Sequence, residues 1–250
     1  MDYGLKNKKV TVTAGSSGIG LSIAESFVKE GSVVTVCSRE PEKVKNNNIK
    51  GLICNLKDEK SVRSFADEVI NSGGADILVL NSGGPESGNF SDVNLNNWDD
   101  AYNMLIRSNI ILLEKFIPKM IENKWGRVVF MTSISVAKPL NNLIISNSLR
   151  RAVEGLSKSM AVEYSKYNIT FNCVGPGYTL TERLTALSDK IATEENITPE
   201  DVYKIWKENT AAQSLAMPED IASIVLFLAS VGAKYVTGES IIADGGFILK

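Results

Sequence analysis

Eight residues near the amino end, Thr13-Ala14-Gly15-Ser16-Ser17-Gly18-Ile19-Gly20, place three glycines between an apolar run and a segment of helical period. Glycines in that position let the backbone turn sharply and approach a pyrophosphate, which the N–H groups and dipole of the following helix would stabilise. A purely structural turn is the competing reading, and the placement between a first strand and a first helix favours the phosphate. The remaining chemistry is bounded by an absence: none of the 250 residues is histidine. Ser-His-Asp triads, Cys-His pairs and histidine-ligated zinc or iron are excluded, and no metal site is expected. Acid–base work must fall to carboxylate, phenol, amine, thiol or water.

The elements that must hold this loop follow a βαβ order, with short β-branched apolar runs alternating with helix-period segments. Strands are expected at 9–13, 33–37, 49–54, 76–80, 127–131, 170–174 and 240–243. Their near-continuous apolar character is that of parallel strands buried on both faces. Helices are expected at 19–30, 59–71, 98–123, 149–167 and 219–230, the fourth carrying one apolar stripe through Leu149, Val153, Leu156 and Met160. The fold class is therefore α/β, a doubly wound seven-stranded parallel sheet with helices on both faces. Two segments resist the pattern: a Gly/Asn/Ser-rich loop at 82–97, and a long polar insertion at 178–217 with helical patches only. Such excursions at the carboxyl ends of parallel strands shape a ligand crevice, and the second is expected to act as a lid.

Twenty-seven basic against 29 acidic residues give a formal charge of -2, without the basic field that nucleic acid or anionic lipid requires. Cys37, Cys54 and Cys173 lack CxxC spacing and end apolar runs, which fits three small buried hydrophobes in a reducing, cytoplasmic setting. No apolar run approaches the ~18 residues of a membrane span.

With these motifs in view, the sequence resembles the short-chain dehydrogenase/reductase family, most closely its 3-oxoacyl-carrier-protein reductase type, over essentially the whole chain. The family's TGxxxGxG loop falls on Thr13 to Gly20, its NNAG turn on Asn81-Ser82-Gly83-Gly84, its PG turn on Pro176-Gly177 with Thr181 following, and its terminal DGG on Asp244-Gly245-Gly246. The resemblance implies one Rossmann-type domain over 1–250 and a nicotinamide dinucleotide cofactor. It places that cofactor against Gly15, Ser16, Ser17, Gly18, Ile19, Gly20, Ser38, Arg39, Asn55, Leu56, Asn81, Gly83, Arg150, Pro176, Gly177, Thr179 and Thr181. Ala14 stands where the family has its first glycine, which a negative φ would accommodate. Ser38 occupies the place of the acid that grips the adenosine ribose, so a 2'-phosphate is not repelled and Arg39 can pair with it. NADP(H) is expected in preference to NAD(H).

In the family a Tyr phenol handles the proton, a Lys four residues later lowers its pKa, a Ser thirteen residues before it positions the substrate oxygen, and an Asn on the preceding helix holds a relay water. Aligned without a gap, these roles fall on Ser146, Arg150, Ser133 and Leu105, with Asn109 one helical turn from the last. Only Ser133 keeps its residue type. A serine hydroxyl ionises far above a phenol, and a guanidinium does not exchange protons at neutral pH. Arg150 remains able to bond ribose or phosphate, and to bind an anionic substrate. The YxxxK string at Tyr203-Lys204-Ile205-Trp206-Lys207 lies in the insertion and is expected on the lid surface. The proton is left to water, the substrate or Tyr178, which directly follows Pro176-Gly177 and whose ring would otherwise pack on cofactor or lid.

Three classes of function stay open: an NADP(H)-dependent oxidoreductase acting on a small carbonyl or alcohol through an atypical site of Ser133, Ser146, Arg150 and Tyr178, a catalytically silent nucleotide-binding or scaffold protein on the same fold, or a non-redox lyase or isomerase built on this sheet. Helices 98–123 and 149–167 are apolar over more than one stripe. By resemblance they form a dimer contact, with the DGG segment contributing to a tetramer, so a homo-oligomer is expected.

Overall fold

The computed structural model describes residues 3–250. Seven strands, β1 (Lys9–Thr13), β2 (Val33–Ser38), β3 (Ile49–Ile53), β4 (Ile77–Leu80), β5 (Gly126–Met131), β6 (Ile169–Pro176) and β7 (Ser240–Ala243), form one parallel sheet in the order β3-β2-β1-β4-β5-β6-β7. Alternation along each strand assigns the two faces. Leu78, Leu80, Val128, Phe130, Phe171 and Cys173 pack under α2 (Glu59–Asn71), α4 (Ser108–Asn123) and α5 (Ile144–Tyr164). Ile77, Val79, Val129, Met131 and Val174 pack under α1 (Gly18–Lys29) and α8 (Pro218–Ala229). Burying such side chains contributes roughly 1.5–3 kcal/mol each, which is why these runs are apolar on both faces. All three cysteines are buried and free.

The chain winds outward from β1 to β2 and β3, then returns to place β4 on the other side of β1. That reversal opens a crevice at the carboxyl ends of β1 and β4, the place where doubly wound sheets bind ligands.

Two expectations need correction. The expected helix at 98–123 starts earlier, as α3 (Leu95–Tyr102), with Asn94 and Asn97 forming a reciprocal cap, and passes into α4 through a π-helical stretch at Asn103–Arg107. The 178–217 insertion holds two full helices rather than patches, α6 (Glu182–Glu195) and α7 (Pro199–Glu208). Thr181 caps α6, and Thr198 with Asp201 caps α7 ahead of Pro199. Leu184, Ala192, Val202 and Trp206 form the small core that joins them, separate from the two cores on the sheet faces. Among the described residues no helix is long and apolar enough to cross a membrane.

Candidate active site

The glycine loop is laced to both neighbouring strands. Thr13 Oγ1 donates to the carbonyl of Asn81 at 2.5 Å, Asn81 Nδ2 donates to the carbonyl of Ala14 at 3.2 Å, and the Gly15 N–H donates to Cys37 at 3.0 Å. Close approach dictates two of the glycines. A methyl at Gly15 would stand 2.7 Å from Val36, and one at Gly20 would strike the Ala14 carbonyl and lie 2.7 Å from Asn81 Nδ2. Gly18 takes φ +52, beneath Thr181 of the lid. Ala14 also lies in the left-handed region, at φ 47, so the negative φ expected of it is not found and its methyl carries strain of about 1–2 kcal/mol. The first turn of α1 has no acidic residue and Ser17 makes no side-chain cap, which leaves its N–H groups free for an anion.

Around the rim, Ser38 Oγ accepts from the N–H of Glu40 at 3.1 Å, and Glu40 is neutralised by Lys43 at 2.6 Å, a contact that lowers the carboxyl pKa. Arg39 is exposed, and among the described residues no carboxylate pairs with it. Asn55 is exposed with Oδ1 turned to the N–H of Lys57, and Leu56 is half-buried against the core. These are the groups that would hold a nicotinamide dinucleotide, Ser38 and Arg39 toward its adenosine end and the N–H groups at the start of α1 toward its phosphates.

At the other end of the crevice Ser133, two residues past β5, caps a short 3-10 turn and accepts the N–H of Ser135 at 3.1 Å. Ser146, on the first turn of α5, is buried, and its hydroxyl faces that of Ser135 at 3.5 Å. Among the described residues no hydrogen bond joins Ser146 to Ser133. Arg150, one turn further along α5, is buried beneath the site; Nη1 donates to Met131 at 3.0 Å and Nη2 to Gly83 at 3.2 Å. It thus clamps the end of β5 to the turn after β4. Burial, with a smaller contribution from the nearby Arg183 charge, pulls its pKa down to about 10, which still leaves a cation at neutral pH. Leu105 is buried in the π-helical stretch, and Asn109 donates its amide to the Leu105 carbonyl at 2.7 Å. That bond satisfies a carbonyl that the π-helical register disturbs and commits the Asn109 amide to the helix.

The Pro176-Gly177 turn is fixed by the Gly177 N–H donating to Ala243 at 2.8 Å. Thr179 is buried with its hydroxyl on the Gly177 carbonyl, and Thr181 Oγ1 accepts from Leu184 N–H as the α6 cap. Tyr178 takes the packing alternative that the sequence left open. Its ring stacks on Trp206 at 5.1 Å between centroids and meets Phe247 edge-on at 5.5 Å, and burial raises its pKa. The phenol belongs to the lid core. Tyr203 donates to Thr185 within the lid, and Lys204 and Lys207 are exposed on the same helix.

Two residues at the site escaped the sequence reading. Ser135 lies two positions past Ser133, a spacing that a serine-rich strand end already offered. Arg183 lies on the first turn of α6, and a methyl at Gly84 would run into both of its Nη atoms. No local pattern announces that contact.

Residues 13–248 match the family model described as enoyl-(acyl carrier protein) reductase. The chain is 33% identical over 253 residues to dehydrogenase/reductase SDR family member 4 of Sus scrofa, covering 97% of this chain and 88% of the relative. Among solved structures it is similar to L-sorbose reductase of Gluconobacter frateurii in complex with NADPH and L-sorbose, with TM-score 0.94, 27% identity and full coverage of both chains. It is likewise similar to the ligand-free aldohexose dehydrogenase of Thermoplasma acidophilum, with TM-score 0.93, 26% identity, and coverage of 100% of this chain and 97% of the other. With a family model matched over residues 13–248 and a relative 33% identical over nearly the whole chain, the chain belongs to the short-chain dehydrogenase/reductase (SDR) family.

Proposed function

We propose that the protein is an NADP(H)-dependent oxidoreductase that interconverts a small carbonyl compound and its alcohol through an atypical site of Ser133, Ser146 and Arg150. The observation that carries the reading is the bracing of the glycine loop by Asn81, with no room for a side chain at Gly15 or Gly20. A nicotinamide dinucleotide whose phosphates were held by that loop would supply the hydride exchanged with the carbonyl carbon. Ser133 holds the substrate oxygen by hydrogen bond, Ser146 and Ser135 line the wall beside it, and Arg150 supports the turn at Gly83 while keeping a positive charge beneath the reacting oxygen. The proton comes from water or from the substrate itself. Arg39, unpaired beside a strand end that lacks the usual acid, supports NADP(H) over NAD(H). The sugar reductase and dehydrogenase neighbours, together with the resemblance to 3-oxoacyl reductases, direct the search to sugars and 3-oxoacyl thioesters first.

The experiment is a fluorescence titration with NADPH and NADH, followed by NADPH oxidation with ketones, 3-oxoacyl thioesters, sugars and quinones. Tight NADPH binding with reduction of at least one class is expected. A second reading, a silent nucleotide-binding protein, is favoured by one observation: Ser146 stands in place of the phenol and faces Ser135. Binding without turnover on any class would establish it. The proposal extends to a homo-oligomer, dimer or tetramer, supported by exposed Ile110 on α4 and by Val162 on α5, which is 89% exposed. Light scattering at micromolar concentration checks it, and a monomer mass counts against it.

A further inference from the structure

The lid brings a second guanidinium to the crevice. Arg183 leaves the first turn of α6 and lays its Nη atoms over Gly84, while Arg150 reaches the adjoining Gly83 carbonyl from below. The two cations therefore converge on consecutive residues of one turn. Among the described residues neither forms an ion pair with a carboxylate, and Arg183 makes no hydrogen bond at all. Arg150 is buried and its pKa is lowered by that burial and further by the Arg183 charge, while Arg183 stays partly open to solvent and is lowered by desolvation alone. Two guanidiniums at one turn without a carboxylate partner give a local positive charge, and the uncommitted donors of Arg183 match carboxylates and phosphates.

We infer that Arg183 and Arg150 form an oxyanion site, which takes the carboxylate or phosphate of an acidic carbonyl substrate. The inference rests on the oxidoreductase reading for the word substrate, and on geometry alone for the anion. Position separates this site from the phosphates of the cofactor. The glycine loop follows β1 and lies under Thr181, whereas Gly83 and Gly84 follow β4, one strand closer to Ser133. An acidic group held there leaves the carbonyl of a short substrate facing Ser133.

The test titrates malonate, and separately inorganic phosphate, calorimetrically into the protein saturated with NADP+. At least one anion is expected to bind, and Arg183→Gln to weaken it about tenfold or more, the scale of a lost charge-assisted bond, while NADPH affinity changes less than twofold. Gly84→Ala supplies a second variant. The three atoms nearest its added methyl all belong to the flexible end of Arg183, so the guanidinium is displaced and the same loss is expected, with a folded far-ultraviolet spectrum as the check on the fold. The inference is overturned if neither anion binds the unaltered protein, if Arg183→Gln binds it equally well, or if Arg183→Gln weakens NADPH to the same degree, which would make the cofactor's own phosphate the occupant. Should NADPH itself fail to bind, the oxidoreductase reading falls, and the same titration into the nucleotide-free protein still decides the anion site.

Discussion

The side-chain amide of Asn81 donates to the carbonyl oxygen of Ala14 at 3.2 Å, tying the turn after β4 to the loop after β1 across the point where the strand order reverses. The bond holds Ala14 at φ 47, a conformation an L-residue adopts at a cost of about 1–2 kcal/mol. Ala14→Gly removes that strain and returns part of the gain as chain entropy in the unfolded state. A net stabilisation of up to about 1 kcal/mol in urea unfolding is expected, with NADPH affinity unchanged. A destabilised variant would show that the methyl is packed rather than strained.

Gly20→Ala acts in the opposite direction. Its methyl meets the Ala14 carbonyl and the Asn81 amide, both fixed, so the loop must move away from the start of α1. NADPH binding should fall by about tenfold or more, the scale of one charge-assisted hydrogen bond lost, with a folded far-ultraviolet spectrum. Unchanged affinity would remove the loop from the binding account.

Arg39 and Ser38 set the choice of cofactor. Arg39→Ala is expected to weaken NADPH about tenfold or more and leave NADH unaltered, since only the 2'-phosphate is lost as a partner. Ser38→Asp should reverse the preference by restoring an acid to the ribose. Equal effects on the two nucleotides in fluorescence titrations would assign Arg39 elsewhere.

Much of the fold that carries this site was legible in the sequence, and the parts that were not have physical reasons. Strands such as Ile77–Leu80 and Gly126–Met131 are buried on both faces, so their apolar runs declare them. The buried stripe of α6 is Leu184, Ser188 and Ala192, too small and too polar to stand out, and α7 buries only Val202 and Trp206. The sign of φ at Ala14 is set by Asn81, far away in sequence. Likewise the Tyr178 phenol was available in the sequence, while the Trp206 and Phe247 rings that claim it come from the lid and the carboxyl end.

Tyr178 yields a prediction about pH as well as packing. Burial raises its folded-state pKa, so the folded protein holds the proton longer than the unfolded chain. Its contribution to stability is complete below the ordinary phenol range near pH 10 and is lost as the pH rises through the raised value. Tyr178→Phe keeps the stacked ring, so at neutral pH it should change stability by less than about 0.5 kcal/mol, the range of substitutions away from critical features. It should also lessen the alkaline loss and leave turnover intact. Turnover abolished by this variant would make the phenol the proton donor after all.

The most direct measurement of the central claim is the decrease in absorbance at 340 nm as NADPH is offered with the ketone, 3-oxoacyl thioester, sugar and quinone panel. The account predicts oxidation of NADPH by at least one class, about a hundredfold slower in Ser133→Ala, the scale of one lost donor to a reacting oxygen, and unaltered in Tyr178→Phe. NADPH that binds and is never oxidised by any class would contradict it.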